Sequence, residues 1–241
     1  MLDVAIRKAD GSSAVDWRHV GVRAVPPLPV ADGLRAVLPD GLRRGSTVSV
    51  RGSTSLLLAL LGAASAGGGW CALVGFPRIS AEAAREYGVE LRRLALIPAP
   101  GEGWATAVGA LLDAVDIVAV RPPRGRGLSP GDVRRLAARA RSKDAVLVPY
   151  LGAADNLSAA DNGAQWPGAD VRLSAEDGVW SGLGQGAGRL RARQVRVSAA
   201  GRGQAARPRS TTLWLPADGG GVLPAAPIAS PVIEPVIDLA G

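Results

Sequence analysis

The residues with the clearest chemical meaning lie in one short loop. Residues 48–64 form the pattern of a strand, a tight glycine turn and an apolar helix, which is the frame of a P-loop. A working P-loop has the pattern G-x-x-x-x-G-K-[ST]: its glycines let backbone N–H groups surround phosphates, its Lys reaches the β and γ oxygens, and its hydroxyl binds Mg²⁺. Here Gly52 is followed by Ser53, Thr54, Ser55 and three leucines, so the second Gly and the Lys are missing. The pattern indicates a nucleotide-binding fold that serves another purpose.

The three hydroxyl side chains of this loop have two possible roles. The first turn of a helix offers free backbone N–H groups and a favourable dipole, so Ser53, Thr54 and Ser55 could bind an anion. The same residue types are preferred N-caps, and an N-cap alone explains a hydroxyl-rich start of a leucine-rich helix. We expect N-caps, and neither a cofactor nor a metal.

Other candidates for catalysis or metal binding are few. His19 is the single histidine and lies in an N-terminal arm rather than after a core strand, so Ser-His or Cys-His catalysis is not expected. Cys71 stands in a strand pattern and is predicted to be a small buried residue. One Cys excludes an internal disulfide, and one Cys with one His gives too few ligands for zinc. Asp113 and Asp116 are expected to form a solvated junction between a helix and a strand.

The sequence also bears on location. The N-terminal residues lack the apolar core of a signal peptide, which predicts a cytoplasmic protein. The uncharged stretch 52–77 has the length of a membrane span, but Gly67, Gly68 and Gly69 interrupt it, and glycines weaken a helix by about 1 kcal/mol each relative to Ala. We predict a buried helix, a glycine turn and a buried strand, without membrane contact.

Positive charge is concentrated in two tracts. The net charge is +7, and residues 121–141 and 189–209 hold seven Arg each. Such tracts favour phosphate backbones or an acidic protein surface, although a chain rich in Arg and poor in Lys is also typical of a GC-rich genome. If nucleic acid is bound, we expect weak, sequence-independent contacts from four side chains: Arg189, Arg191, Arg193 and Arg196.

The middle of the chain alternates strands and helices. Short apolar strands are predicted at 70–75, 94–100, 116–120 and 145–151. Between them, Ser80 and Ser129 are predicted N-caps of helices, and a third helix begins near Trp104. Repeated βα units of this length predict an α/β fold with a mainly parallel sheet and helices on both faces. The last third has partial alternation with a period of two, which predicts antiparallel or mixed strands at the C-terminal end of the sheet.

Three regions are predicted along the chain. Residues 1–33 form an N-terminal arm and a Pro-rich linker, residues 34–216 form the core domain, and residues 217–241 form a Pro/Gly-rich flexible tail. The tail retains two apolar pairs around Glu234 and Pro235, which a solvated linker does not need. We therefore predict that the tail docks on its own core or, preferably, on a partner. The predicted contact residues are Val232, Ile233, Val236 and Ile237.

The six tryptophans fall into two predicted groups. Those within element patterns are expected in the core, namely Trp70, Trp104 and Trp214. Those in or beside loops are better candidates for a protein interface, namely Trp17, Trp166 and Trp180.

The order of these elements resembles the RecA ATPase core, from about Leu34 to Leu215. In that family a phrase such as LRAVLPDGLRRGSTVSVRG leads into the P-loop, and a helix, a strand, a further helix and the Walker B strand follow. RecA-type ATPases end the Walker B strand with an Asp for the Mg²⁺ shell, where this chain has Arg121. They carry a Glu that activates water where this chain has Phe76 and Pro77. The resemblance therefore implies a RecA-like fold in which the phosphate cradle, the metal ligand and the water activator are absent together, and no ATPase activity.

Degenerate RecA-like chains of this kind resemble the ImuA and ImuA-prime family of bacterial SOS mutagenesis factors. The resemblance implies a non-catalytic adaptor of translesion DNA synthesis. Its partner would be ImuB, an inactive Y-family polymerase homologue, with an error-prone C-family polymerase and possible contacts to RecA. The alternative is a protein that binds DNA or regulates RecA filaments through the same fold. An active NTPase with an unusual loop is a third hypothesis.

Overall fold

The computed structural model describes residues 25–123, 129–152, 166–183 and 188–227. Their centre is a nine-stranded sheet in the order β3-β2-β4-β5-β1-β6-β7-β8-β9. The first five strands and β6 run parallel where they pair, and β7, β8 and β9 continue the sheet in antiparallel pairs. The predicted fold class, a mainly parallel α/β sheet with antiparallel strands at its C-terminal end, is confirmed.

The elements follow the predicted order. The strands of the parallel half are β1 (Val48–Arg51), β2 (Cys71–Val74), β3 (Leu94–Ile97), β4 (Ile117–Val120) and β5 (Val146–Leu151). The helices are α1 (Thr54–Ala66), α2 (Ala81–Glu86), α3 (Trp104–Leu112) and α4 (Pro130–Ser142). The hydroxyls of Ser53, Ser80 and Ser129 each accept a hydrogen bond from a backbone N–H in the first turn of α1, α2 and α4, respectively. The predicted N-caps at Ser53, Ser80 and Ser129 are confirmed, whereas Thr54 and Ser55 lie within the first turn of α1 and do not cap it.

Helices cover both faces of the parallel half, because successive strand residues point to opposite faces. In β2, Cys71 and Leu73 share one core cluster with α1, while Ala72 and Val74 share a second cluster with α3 and α4. The leucines of α1 are buried on all sides of the helix. Tyr87, which ends α2, packs tightly on α1, since a Cβ on Gly62 would lie 1.8 Å from the Tyr87 carbonyl oxygen.

The uncharged stretch 52–77 contains α1, a glycine turn and β2, as predicted. Within the described ranges, none of the helices has both the length and the apolar character needed to cross a membrane.

The C-terminal half adds four strands, β6 (Val171–Leu183), β7 (Gly188–Gly201), β8 (Arg209–Trp214) and β9 (Leu223–Pro224). β6 pairs with β1 over its first four residues, whereas its antiparallel pairing with β7 continues to Leu183. β8 pairs with β7 only as far as Gln194. The outer parts of β6 and β7 therefore continue beyond their pairings with β1 and β8 as a two-stranded ribbon, residues 179–183 and 188–193. At its base, Arg193 N donates to Pro216 O at 2.9 Å and Arg193 O accepts from Leu215 N at 2.6 Å.

Core packing begins before residue 34 and continues after residue 216. In the stretch predicted as a linker, Leu28 and Val30 are buried, and Leu28 forms a β-bridge with Leu42. In the stretch predicted as a flexible tail, Ala217 is buried and Val222 packs against the core. Prolines and glycines end regular structure here without separating these segments from the domain.

Two tryptophan predictions are wrong. Trp166 is 2% exposed and packs in the cluster that contains α3 and α4, although it follows a loop by composition. Trp70 is 49% exposed, because it precedes β2 instead of lying within it. Trp104 is buried and Trp180 is 45% exposed, as expected, whereas Trp214 in β8, expected in the core, is only partly buried. Trp17 lies outside the described residues.

The two aspartates near α3 differ in environment. Asp113 is exposed and bonded by Arg139, whose hydrogen bond lowers the pKa of the Asp113 carboxyl. Asp116 is partly buried, accepts from Trp70 N at 2.9 Å and forms an ion pair with Arg44 at 2.7 Å. The prediction of a solvated junction holds for Asp113. Asp116 instead ties the start of β4 to β2 and to the chain before β1.

Candidate functional site

The carboxyl ends of four parallel strands meet at one edge of the sheet, in the order β2, β4, β5, β1. Ligands of open α/β sheets bind at such an edge. It is formed by the residues that directly follow the strands, namely Gly75, Arg121, Gly152 and Gly52. We call this region the loop edge. The P-loop frame read from the sequence lies here.

The turn between β1 and α1 is too short to surround a phosphate. β1 ends at Arg51 and α1 begins at Thr54, so two residues connect them. Gly52 has a φ of 82°, a left-handed conformation that favours glycine. Its N–H donates to Leu151 O of the neighbouring β5 at 3.3 Å. This donor is therefore used within the sheet.

The hydroxyls of the turn also contact the protein itself. Ser53 is buried, and its Oγ accepts from Leu56 N at 3.1 Å. Thr54 Oγ1 lies 3.1 Å from the hydroxyl oxygen of Tyr150. Ser55 is partly buried in the first turn of α1. Ser53 thus acts as the N-cap that the sequence predicted.

Tyr150 occupies the centre of the loop edge. The side chain comes from β5, the strand between β1 and β4, and the residue is 5% exposed. Its ring lies 5.5 Å from the Phe76 ring in a tilted arrangement, and the Arg121 guanidinium lies 5.8 Å from its centroid. Aromatic and cation–π contacts of this kind contribute about 0.5–1.5 kcal/mol each. Tyr150 thereby joins the ends of β1, β2 and β4 into one packed layer.

The positions that correspond to catalytic residues in the RecA family carry different chemistry here. Arg121 follows β4 at the Walker B position and directs its cation to Tyr150. Phe76 follows β2 and is 6% exposed. A guanidinium offers hydrogen-bond donors only, and a phenyl ring offers no proton acceptor, so neither can hold Mg²⁺ or activate water.

A cleft of about 340 Å³ opens beside this layer, over the ends of β2, β3 and β4. Its wall is rich in proline and contains two cations, Arg78 and Arg121, and the described lining includes no acidic side chain. Across the described part of the chain, no group of three or more His, Cys, Asp or Glu side chains could hold a metal ion. The local chemistry suits an anionic group better than a metal.

The four arginines predicted for nucleic acid lie on β7 but do not form one patch. Arg189 and Arg191 are exposed on the ribbon. Arg193 stacks its guanidinium 5.8 Å from the Trp180 ring. Arg196 lies in the main sheet, in register with Glu176 of β6. The structure therefore gives the ribbon three of the four predicted side chains.

The ribbon also carries exposed apolar residues that sequence analysis did not identify as a site. Val179, Leu183 and Leu190 are 53%, 67% and 49% exposed. A strand pattern alone predicts that such residues are buried. The missing information was the point at which β1 and β8 stop pairing with the hairpin.

The other candidate residues named from the sequence are Cys71, His19 and four residues of the tail. Cys71 is fully buried, and burial, followed by the nearby charge of Asp116, raises the pKa of its thiol to about 12. It has the environment of a core residue, as predicted. His19 and the four predicted tail contacts, Val232, Ile233, Val236 and Ile237, lie outside the described residues.

Sequence comparison relates the parallel half of the chain to a family model and part of the chain to a mycobacterial protein. Residues 36–154 match the family model of the MT3502 N-terminal domain. The chain is 35% identical over 137 residues to the uncharacterized protein Rv3395c of Mycobacterium tuberculosis (strain ATCC 25618 / H37Rv). This similarity covers 57% of the chain and 61% of the length of that relative.

Structural comparison concerns nearly the whole described domain. The flagellar accessory protein FlaH from Methanocaldococcus jannaschii superimposes with a TM-score of 0.58 at 11% sequence identity. The superposition covers 83% of this chain and 100% of that one. At this identity the likeness concerns the fold. The chain has a RecA-like fold, and its residues 36–154 are similar to the MT3502 N-terminal domain.

Proposed function

We propose that this chain is a non-catalytic RecA-like adaptor of SOS-induced translesion DNA synthesis. Its partner would be an ImuB-type inactive Y-family polymerase homologue, working with an error-prone C-family polymerase. The observation that carries the non-catalytic part is the loop edge, where Tyr150 and Arg121 pack in place of a phosphate cradle and a metal ligand.

The requirements of phosphoryl transfer support the non-catalytic part of the proposal. Catalysis requires a cradle of backbone donors, a cation on the β and γ phosphates, a bound Mg²⁺ and a positioned water. At the loop edge the Gly52 N–H is bonded to β5, and the Ser53 hydroxyl caps α1. The cation at the Walker B position, Arg121, faces the Tyr150 ring. A fold without these functions but with an intact core fits a role in protein assembly.

The partner is proposed from the resemblance of the sequence to the ImuA group, and the RecA-like fold is compatible with it. The predicted contacts are the apolar pairs of the tail, Val232 with Ile233 and Val236 with Ile237. Removal of residues 231–241 should change the free energy of unfolding by less than about 1 kcal/mol, as expected for a terminus outside the core. The same truncation should weaken capture of ImuB.

The decisive experiment combines nucleotide binding with partner capture. Isothermal calorimetry with ATP and Mg²⁺ should show no micromolar binding, and a phosphate-release assay should show no turnover, with an active RecA-type ATPase as positive control. Purified, tagged ImuB should retain the full-length chain. Mg²⁺-dependent turnover that is lost when residues 53–55 are replaced by Ala would contradict the non-catalytic proposal, and failure to bind ImuB would contradict the adaptor proposal.

Direct DNA contact is a second candidate, supported by the exposure of Arg189 and Arg191 on the ribbon. Phosphate contacts release counterions, so such binding should be independent of sequence and fall steeply with salt. Fluorescence anisotropy with labelled single-stranded DNA at two salt concentrations tests it. Replacement of Arg189, Arg191, Arg193 and Arg196 by Gln should abolish the signal, and salt-insensitive binding would exclude these arginines.

A further inference from the structure

The pairing of β6 with β7 gives the ribbon two faces of different character. Alternate residues of a strand point to the same side, so Arg189, Arg191 and Arg193 share one face of β7. Trp180 pairs directly with Arg193 and therefore lies on that face as well. Leu190 belongs to the opposite face. We call the side with Trp180 and the three arginines the arginine face.

Two glycines of β6 leave room for arginine side chains on the arginine face. A Cβ on Gly178 would lie 2.1 Å from Arg193 Nε, and a Cβ on Gly182 would lie 3.0 Å from Arg191 Cγ. These glycines stand two positions before and two positions after Trp180, so both arginine side chains lie across β6 beside the indole ring. The Arg193 guanidinium is 5.8 Å from the ring centroid. The indole ring is thus held by its neighbours, while the residue remains 45% exposed.

The arginine face combines exposed cations with an exposed aromatic ring. Arg189 and Arg191 are exposed, and residues 179–183 and 188–193 contain no Asp or Glu. Sites for single-stranded nucleic acid have this combination, because cations bond the phosphates and each base can stack on an aromatic ring. An acidic peptide would use the cations but has no base to stack on Trp180. The face therefore fits a nucleic acid better than an acidic protein segment.

The indole ring also bears on whether the nucleic acid is single-stranded or double-stranded. In a duplex the flat faces of the bases are stacked on one another, so only an unpaired strand can place a base on Trp180. From residue 189 to residue 193 the face is about 13 Å long, since a strand rises about 3.3 Å per residue. That length admits only a few nucleotides, which predicts weak binding with few phosphate contacts.

We propose that the arginine face binds single-stranded nucleic acid, with one base stacked on Trp180 and the adjacent phosphates bonded to Arg189 and Arg191. Arg193 is a positioning residue that holds the indole ring. The proposal rests on the second candidate function, direct DNA contact, and adds the stacking residue and the preference for a single strand. It also removes one predicted contact, because Arg196 lies an odd number of positions from Arg193 and points to the opposite face.

Fluorescence anisotropy of the full-length chain with a labelled oligothymidylate of about 12 nucleotides tests the proposal. The single strand should bind at least about tenfold more tightly than a duplex of the same length at low salt. Trp180→Ala should weaken binding by roughly 5- to 150-fold, the range for loss of one stacked base. Trp180→Phe keeps an aromatic ring and should recover most of the affinity. The two phosphate contacts predict a slope of about −1.4 for log affinity against log salt concentration.

Two variants serve as matched controls. Trp70→Ala removes another half-exposed indole, which lies before β2, and Arg196→Gln removes a cation on the opposite face of β7. Both should leave the affinity within about twofold of the unaltered chain, because neither residue lies on the arginine face.

The outcomes separate this proposal from the candidate function on which it rests. Equal affinity for the single strand and the duplex, or binding that survives Trp180→Ala, overturns the stacking site but not DNA contact through another surface. No binding of either nucleic acid at low salt overturns both. Polyglutamate that binds as tightly as the oligonucleotide, with the same loss in Trp180→Ala, assigns the face to an acidic protein segment and overturns the proposal.

Discussion

The loop edge and the ribbon lie toward the same end of the sheet and differ in almost every physical respect. At the loop edge, Tyr150, Phe76 and Ser53 are buried; the two rings pack against each other, and the Ser53 hydroxyl accepts a hydrogen bond from the backbone. On the ribbon, Leu183 and Leu190 are 67% and 49% exposed to solvent. The position that the RecA family uses for nucleotide is thus occupied by side chains of the protein itself, whereas the exposed apolar side chains lie on a hairpin outside that position. The difference favours a protein that works through association.

The largest expected difference is in thiol reactivity, between the buried Cys71 and a cysteine introduced on the ribbon. Cys71 is buried and burial raises its pKa to about 12, so it should react with a thiol reagent at pH 8 only when the protein unfolds. A Leu183→Cys thiol on the ribbon should react at the rate of a free thiol. With a stability of 5 kcal/mol or more, the two rates should differ by roughly a thousandfold or more.

The raised pKa of Cys71 also predicts how the free energy of unfolding changes with pH. The pKa of Cys71 is raised above its ordinary value of 9.0, so the folded state favours the neutral thiol. The stabilisation is fully present below pH 9 and is lost as the pH rises toward 12. Urea titration at pH 8 and above pH 9 checks this sign, and a free energy of unfolding that did not fall with rising pH would contradict it. Equal labelling rates for the two thiols at pH 8 would contradict the burial of Cys71.

Breaking the packed layer of the loop edge should cost stability. Tyr150→Ala removes the contacts with Phe76 and Arg121 and the hydroxyl contact with Thr54, and we expect a loss of about 3–5 kcal/mol in the free energy of unfolding. Tyr150→Phe keeps the ring and should cost about 1 kcal/mol. Urea titration measures both. Similar small effects for the two variants would show that the ring does not hold the strand ends together.

A smaller effect is expected at the opposite edge of the sheet. Asp116→Ala removes the acceptor of Trp70 N and leaves Arg44 without its carboxylate, which should cost about 2 kcal/mol. Asp113→Ala is the matched control, because Asp113 is exposed and its ion pair with Arg139 is solvated. Thermal unfolding should distinguish the two aspartates. A control as destabilised as Asp116→Ala would contradict the assigned roles.

The smallest effect on stability is expected on the ribbon. Leu183→Ser with Leu190→Ser should change the free energy of unfolding by no more than about 0.5 kcal/mol, since both side chains are exposed. Urea titration of the double variant beside the unaltered chain measures the difference. A large loss of stability would mean that these leucines belong to the core and would remove the contrast between the two regions.

Much of the fold could be predicted from sequence because the core strands are short uncharged runs separated by capped helices. The loss of the phosphate cradle was also readable, since it depends on adjacent residues such as Gly52 and Ser53. The filling of the loop edge was not readable, because Tyr150 meets Arg121 and Phe76 only through strand order. Exposure on the ribbon likewise depends on where β1 and β8 end, and the burial of Trp166 depends on a contact with a distant helix.

The pairing of β1 has a consequence for the synthesis of the protein. Thr47, beside the start of β1, donates its N–H to Asp170 Oδ2, 123 positions later, and β1 itself pairs with β5 and β6. A nascent chain that ends near residue 154 would have one edge of its central strand unpaired and would lack Leu173, Val195 and Leu213 from the first core cluster. Burial of this cluster is therefore completed only after the antiparallel half has left the ribosome, and the parallel half by itself lacks part of its core.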